Sequence, residues 1–201
     1  MNPIVISFVS FVISFVFALC GLGSALALIP TLVFLGVSYT YARSTGLFVN
    51  LVTTLSITVH NIRARKVKSK IALPIIVFSV LSSPLGAYTS VLIPQKVVGL
   101  SFLCFLVFSV VITLFPIKKI GKSEDIPIYV LGFIGLLAGF ISGLLGVGGG
   151  AIISPLLLIA GMSPKVVITI TPLSVVFSSL TSFISYAKLG GVDWIITTYA
   201  S

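Results

Sequence analysis

GLLGVGGGAIISPLLLIAG, residues 143–161, places four glycines in the five positions from 146 to 150, inside an apolar run that extends from 126 to 161. One unbroken helix over that run would measure about 54 Å, against a hydrocarbon layer of roughly 30 Å. The run must therefore turn back or break. Helix propensity is lowest at Gly143 and at Gly146-Val147-Gly148-Gly149-Gly150, so the break is expected there. A second run, 3–37, is equally overlong at about 52 Å, and its weak point is Gly21-Leu22-Gly23-Ser24 within ALCGLGSALALIPTLVFLG, residues 18–36. A constant offset of 125 aligns Gly21 with Gly146, Gly23 with Gly148, Pro30 with Pro155, Gly36 with Gly161 and Ser38 with Ser163. Phe15 with Phe140, Leu19 with Leu144 and Leu32 with Leu157 extend the match. Leucines align readily in any apolar chain, but glycines and a proline at identical spacing predict an internal repeat.

Composition points the same way. Of 201 residues, 58% are hydrophobic and only 7% charged, with a mean hydropathy of +1.29, which excludes a water-soluble domain. Further apolar stretches occupy 42–60, 71–93, 97–117 and 164–187, and another starts at 192. None alternates polar with apolar as a membrane β-strand would, so the fold class is all-α: a polytopic membrane protein with two Gly-broken helical stretches. The net charge of +9 does not indicate a nucleic-acid partner, because the bases lie in short connections between apolar runs. Arg63, Arg65, Lys66, Lys68 and Lys70 mark one cytoplasmic connection, and Lys118, Lys119 and Lys122 another.

If each broken stretch is a hairpin that re-emerges on its side of entry, the repeats are inverted. If each is a single broken crossing, they are parallel. The excess length favours hairpins. The organisation expected is a first transmembrane repeat over 1–117, a cytoplasmic basic loop over 118–125 and a second repeat over 126–201. The pattern of the first repeat predicts two further crossings after Trp194, so the second is expected to be incomplete unless the chain continues or a partner supplies them. Residues 3–20 lack the basic start of a signal sequence and are read as mature structure.

HExxH, GxSxG, a nucleotide-binding lysine loop and paired intramembrane aspartates are all missing from the sequence. The reading is not of an enzyme, and it calls for no metal or cofactor. His60 is expected at the membrane interface beside the basic connection. Cys20 and Cys104 lie in separate apolar runs and predict no disulfide. Arg43 and Lys165 open two related helices; each could draw anions toward the pathway, but they are read as membrane-edge anchors. Asp193 is read as the N-cap of a final helix.

Glycine breaks inside a bilayer leave amide N–H groups that protein, water or a ligand must satisfy, and a helix N-terminus there favours an anion. Gly21, Gly23, Ser24, Gly146, Gly148, Gly149 and Gly150, with Pro30 and Pro155, are the candidate substrate-binding elements. Gly132 and Gly135 are read instead as packing positions. Thr171, Ser174, Ser178, Ser182 and Ser185 recur at helical spacing on one face, and Thr45, Asn50, Thr54, Thr58 and Asn61 form a related series. Thr45, Asn50, Thr171 and Ser174 are the candidates closest to the preceding breaks. The partners expected are a small anionic substrate and the lipid bilayer, with an oligomer if another copy completes the second repeat.

Gly143-Leu-Leu-Gly146-Val-Gly-Gly-Gly150, the run to Pro155 and Gly161, Thr171-Pro-Leu-Ser174, Ser178-Ser179 and Gly190-Gly-Val-Asp193-Trp194 together resemble the TauE/SafE family of sulfite exporters and related permeases. Both halves match, although Ser24 and Ala25 stand where the second half has glycines. The resemblance implies a duplicated helical membrane fold and transport of sulfite, sulfonates or other small sulfur-containing anions, coupled to protons. A non-transporting assembly factor and an anion channel are the alternative readings.

Overall fold

The computed structural model describes residues 3–20, 24–64, 69–114 and 126–200. They form α1 (Pro3–Cys20), α2 (Ala25–Phe34), α3 (Tyr39–Arg63), α4 (Ser69–Leu92), α5 (Gln95–Leu114), α6 (Ile128–Leu145), α7 (Gly150–Ile159), α8 (Pro164–Lys188) and α9 (Trp194–Ala200). No strand occurs among the described residues, and the fold is all-α. Four described helices, α3, α4, α6 and α8, are long and apolar enough to cross a membrane.

Helix boundaries recur with the period read from the glycines. α6, α7 and α8 begin and end 125 residues after α1, α2 and α3, and α9 begins 125 residues after α4. The turns recur as well. Val37 N–H donates to Leu32 C=O at 3.0 Å and Gly36 N–H to Val33 C=O at 3.0 Å, while Met162 donates to Leu157 at 3.0 Å and Gly161 to Leu158 at 3.1 Å. Both are Schellman closures, which satisfy the last carbonyls of α2 and α7 and send the chain sharply into the next long helix.

Contacts between helices fix their directions. Arg43 lies against Tyr186 and Asn50 against Ser179, so α3 and α8 run antiparallel. α4 and α6 run parallel in very close approach, with Gly135 against Ile75 and Gly143 against Ser83. A Cβ at Gly143 would overlap the Ser83 carbonyl, and one at Gly86 would overlap the Phe140 carbonyl. Small residues at such contacts let two backbones approach in lipid, where dispersion replaces the hydrophobic effect as the source of attraction. Gly132 packs on the Phe78 ring, so it and Gly135 serve packing.

Radial polarity is the reverse of a soluble protein's. Phe34 is 91% and Leu92 84% exposed, as are many other large apolar side chains, while Asn50, Thr45, Thr171, Ser174, Ser178 and Ser179 are fully buried. Leu28, Ile29 and Leu32 of α2 and Ile153 and Leu157 of α7 complete a buried apolar core with Ile75, Leu131 and Ile170. Apolar surface turned outward suits a hydrocarbon solvent, and hydroxyls turned inward find partners there.

Candidate functional site

The site is assembled where α6 stops. Leu145 ends the helix, Gly146 follows in the left-handed region at φ 77°, and Gly148 and Gly149 adopt φ 82° and 74°. Three left-handed residues in four reverse the chain, a conformation that costs other residues roughly 1–2 kcal/mol apiece. A Cβ placed on Gly149 would lie 3.2 Å from the Ala138 carbonyl, so the chain has doubled back beside a residue eleven positions earlier. α7 then runs for ten residues, about 15 Å, or half a hydrocarbon layer. Ser178 Oγ donates to Gly148 C=O at 3.2 Å and Ser154 Oγ to Thr171 Oγ1 at 3.2 Å, so α7 is antiparallel to α8 and begins beside that helix's middle.

α7 carries no side-chain cap, its N-cap being Gly149. Gly149 C=O accepts from Ile152 and Ile153, both at 3.0 Å, and the amides before them point out of the helix start. The positive end of the α7 dipole thus faces a group of buried polar side chains. Asn50 Nδ2 donates to Ser179 Oγ at 3.0 Å, directly against Gly148, where any Cβ would overlap the amide and come within 2.8 Å of Ser179 Oγ. Asn50 Oδ1, Ser174 Oγ, Ser142 Oγ and Ser182 Oγ are buried and have no partner. Hydroxyls and an amide oxygen are thus left open beside a helix N-terminus, with no formal cation among them.

The predicted residues do not all meet at the turn. Gly146, Gly148, Gly149, Gly150 and Asn50 are brought together, with Ser174 one turn along α8 from Ser178. Thr45 pairs with Thr197 Oγ1 at 3.2 Å on the α9 side, and Thr171 pairs with Ser154 about two turns below Ser178, so neither sits at the glycine turn. Pro30 and Pro155 are half-buried inside α2 and α7, where each deprives the carbonyl four residues earlier of its helical donor. Gly21 and Gly23 lie outside the described residues, as does the side chain of Cys20. Ser24 is the N-cap of α2, buried, with its Oγ unpartnered. Ser142 was not legible as a site residue, because its position 125 residues earlier is Phe17.

Arg43 corrects an expectation. It is 2% exposed and is no membrane-edge anchor: its Nη1 donates to Leu144 C=O and Tyr186 Oη, both at 3.2 Å, and Tyr39 and Tyr186 flank the guanidinium. Lys165 is exposed. Asp193 Oδ1 accepts from Ile195 and Ile196 N–H at 3.0 and 3.2 Å and so caps α9. Cys104 is a free thiol at the apolar exterior.

A multi-pass helical protein with a lipid-compatible exterior, a hydroxyl-lined interior and a half-length helix starting deep inside has the architecture of a membrane transporter. The chain belongs to the sulfite exporter TauE/SafE family, whose profile matches residues 6–200. It is 27% identical over 206 residues to the probable membrane transporter protein YunE of Bacillus subtilis, a match covering 89% of this chain and 76% of YunE. A probable membrane transporter protein of Methanocaldococcus jannaschii is 26% identical over 190 residues, covering 89% and 70%. Sulfite exporter TauE/SafE family protein 6 of Arabidopsis thaliana is 50% identical over 54 residues, which is 27% of this chain and 13% of that protein. No solved structure matches the chain.

Proposed function

We propose that the protein is a secondary transporter of small sulfur-containing oxyanions such as sulfite, held at the Gly146–Gly150 turn between α3 and α8. One observation carries this reading: an uncapped helix start, built of left-handed glycines, aimed from the protein interior at unpartnered buried hydroxyls. Backbone amides and a helix dipole supply positive potential without a desolvated side-chain cation, and they select by charge and size. The sulfur-oxyanion class comes from the family resemblance. Asn50 Oδ1 adds an unpaired acceptor, which suits a singly protonated oxyanion such as hydrogensulfite; a proton would then travel on the substrate itself.

Alternating access would come from two inverted repeats, α1–α3 and α6–α8, rocking against each other. The 125-residue recurrence of helix ends, the matching turns and the antiparallel course of α3 and α8 support it.

The test is uptake of radiolabelled sulfite into proteoliposomes holding the purified chain. Saturable flux, competed by sulfate or taurine and reduced by about tenfold or more in Gly148→Ala, is the expected result. Absence of saturable flux for all three compounds would overturn the transporter reading, and flux that never saturates would replace the carrier with a channel.

A further inference from the structure

The glycine turn has no formal charge, yet a fully charged group stands directly behind it. Arg43 packs its stem on Gly146, close enough that a Cβ there would come within 2.7 Å of Arg43 Cβ. A guanidinium offers five N–H donors. Nη1 is used by the Leu144 carbonyl and the Tyr186 hydroxyl, whereas Nε is buried with no partner at all. No carboxylate contacts it among the described residues, whose one acid, Asp193, turns its Oδ1 to the backbone of α9. The carbonyl end of α6 and two tyrosine rings, 4.9 and 5.1 Å from the guanidinium carbon, offset the charge only in part. A buried cation without a counter-ion is costly and asks for an anion.

Space for one lies beside it. A cavity of about 290 Å³ is lined by Arg43, Ser38, Thr40, Ser90, Gln95 and Tyr186, among others. That is several times the roughly 30 Å³ occupied by a water molecule, enough for a four- or five-atom oxyanion with part of its hydration. Ser90 Oγ donates to Ala87 C=O at 2.7 Å and Tyr186 Oη to Gly143 C=O at 2.6 Å, so both hydroxyl protons are committed. Gln95 Nε2 donates to Thr40 Oγ1 at 2.6 Å and keeps a second N–H. The cavity sits at the end of α3 opposite the basic connection that follows Arg63, hence on the extracytoplasmic side by the charge rule. From Arg43 to Asn50 is seven residues of α3, about 10 Å of travel to the glycine turn.

We propose that this cavity is an anion-binding vestibule, with Arg43 as its charge and Gln95 as a neutral donor, through which the substrate passes between the glycine turn and the extracytoplasmic side. The passage rests on the transport reading above, whereas binding at the vestibule does not. The position 125 residues after Arg43 is Ile168, which is 58% exposed, so the repeat does not reproduce the arginine at the equivalent place.

Equilibrium dialysis of the purified full chain in detergent against radiolabelled sulfite and, separately, sulfate tests it without requiring transport. Wild type is expected to bind saturably and to gain thermal stability from millimolar anion. Arg43→Gln should weaken binding by about tenfold or more, and Gln95→Ala by about threefold. Gly99→Ala, whose surroundings are open, should bind within about threefold of wild type. Should Arg43→Gln fail gel filtration, Arg43→Lys, which keeps the charge but loses the fork, and Gln95→Ala carry the comparison; both are expected to weaken binding. Wild type that binds neither anion, or folded Arg43 and Gln95 variants that bind as wild type does, overturns the vestibule. Binding lost in Gly148→Ala but unchanged in Arg43→Gln sinks the vestibule and leaves the glycine turn standing. Arg43-dependent binding without any flux in wild type sinks the transport reading and leaves the vestibule.

Discussion

Asn50 Nδ2 and Ser179 Oγ meet at 3.0 Å where α3 and α8 cross, and the backbone of Gly148 is pressed against both. Three separate segments are thereby held at one point, with Asn50 Oδ1 left open. Replacing Asn50 by Ala removes that clamp and an open acceptor but leaves the helices' apolar packing intact. Sulfite uptake is expected to fall by about tenfold, with the half-saturation constant rising more than the maximal rate changes. Ser179→Ala, which loses one hydroxyl, should fall by about threefold. Uptake by both variants at the wild-type level would remove Asn50 from the site.

Gly148→Ala combines two penalties, a positive φ and the collision with Asn50. Gly36 supplies the control, since its φ is 90° and open space surrounds it. Both alanine variants should lose about 1 kcal/mol or more through the backbone, visible as a lower Tm. Only Gly148→Ala should also abolish uptake. Equal loss of transport in both would mean that strain, and not the shape of the turn, is what matters.

Gly143→Leu should be among the most damaging substitutions in the chain, because the side chain would be driven into the Ser83 carbonyl and Ala87 of α4. Overpacking of this kind costs about 1–3 kcal/mol where neighbours can shift, and two apposed helix backbones cannot shift far. Gly99, with nothing within 4 Å, is the contrast, and Gly99→Ala should be neutral or stabilising by up to about 1 kcal/mol. Detergent thermal melts compare the two directly.

Asp193→Ala removes the cap on Ile195 and Ile196 and should cost about 1 kcal/mol, with Asp193→Asn restoring most of it. Should Asp193→Asn instead eliminate proton-dependent uptake while the melt stays unchanged, Asp193 would be a titrating group and no mere cap.

Helix breaks are legible in this sequence because glycine is the residue that a left-handed turn requires, so Gly146, Gly148 and Gly149 announce the reversal without any tertiary information. Helix ends are legible for the same reason: Gly36 and Gly161 close α2 and α7 through matching hydrogen bonds. Polar stripes are a weaker guide. Thr45, Asn50, Thr171 and Ser174 share spacing with their neighbours, but which of them meets the turn depends on how α3 and α8 cross. Asn50 lands on Gly148, while Thr45 and Thr171 land on Thr197 and Ser154. Arg43 was misplaced because a cation near a helix start looks like an anchor by position alone. Its burial follows from Leu144 of α6 and Tyr186 of α8 closing on it, with Tyr39 one turn back on its own helix, and no periodicity reports the approach of the two other helices.

The one-sided guanidinium has a kinetic corollary. Microscopic reversibility forbids a passive carrier from building a gradient out of unequal mouths, yet it allows the two directions to saturate at different concentrations. With Arg43 beside the proposed vestibule and an isoleucine, Ile168, at the repeat-equivalent position, such a carrier would rectify: efflux and influx would share one equilibrium but not one half-saturation, and the arginine side would fill first.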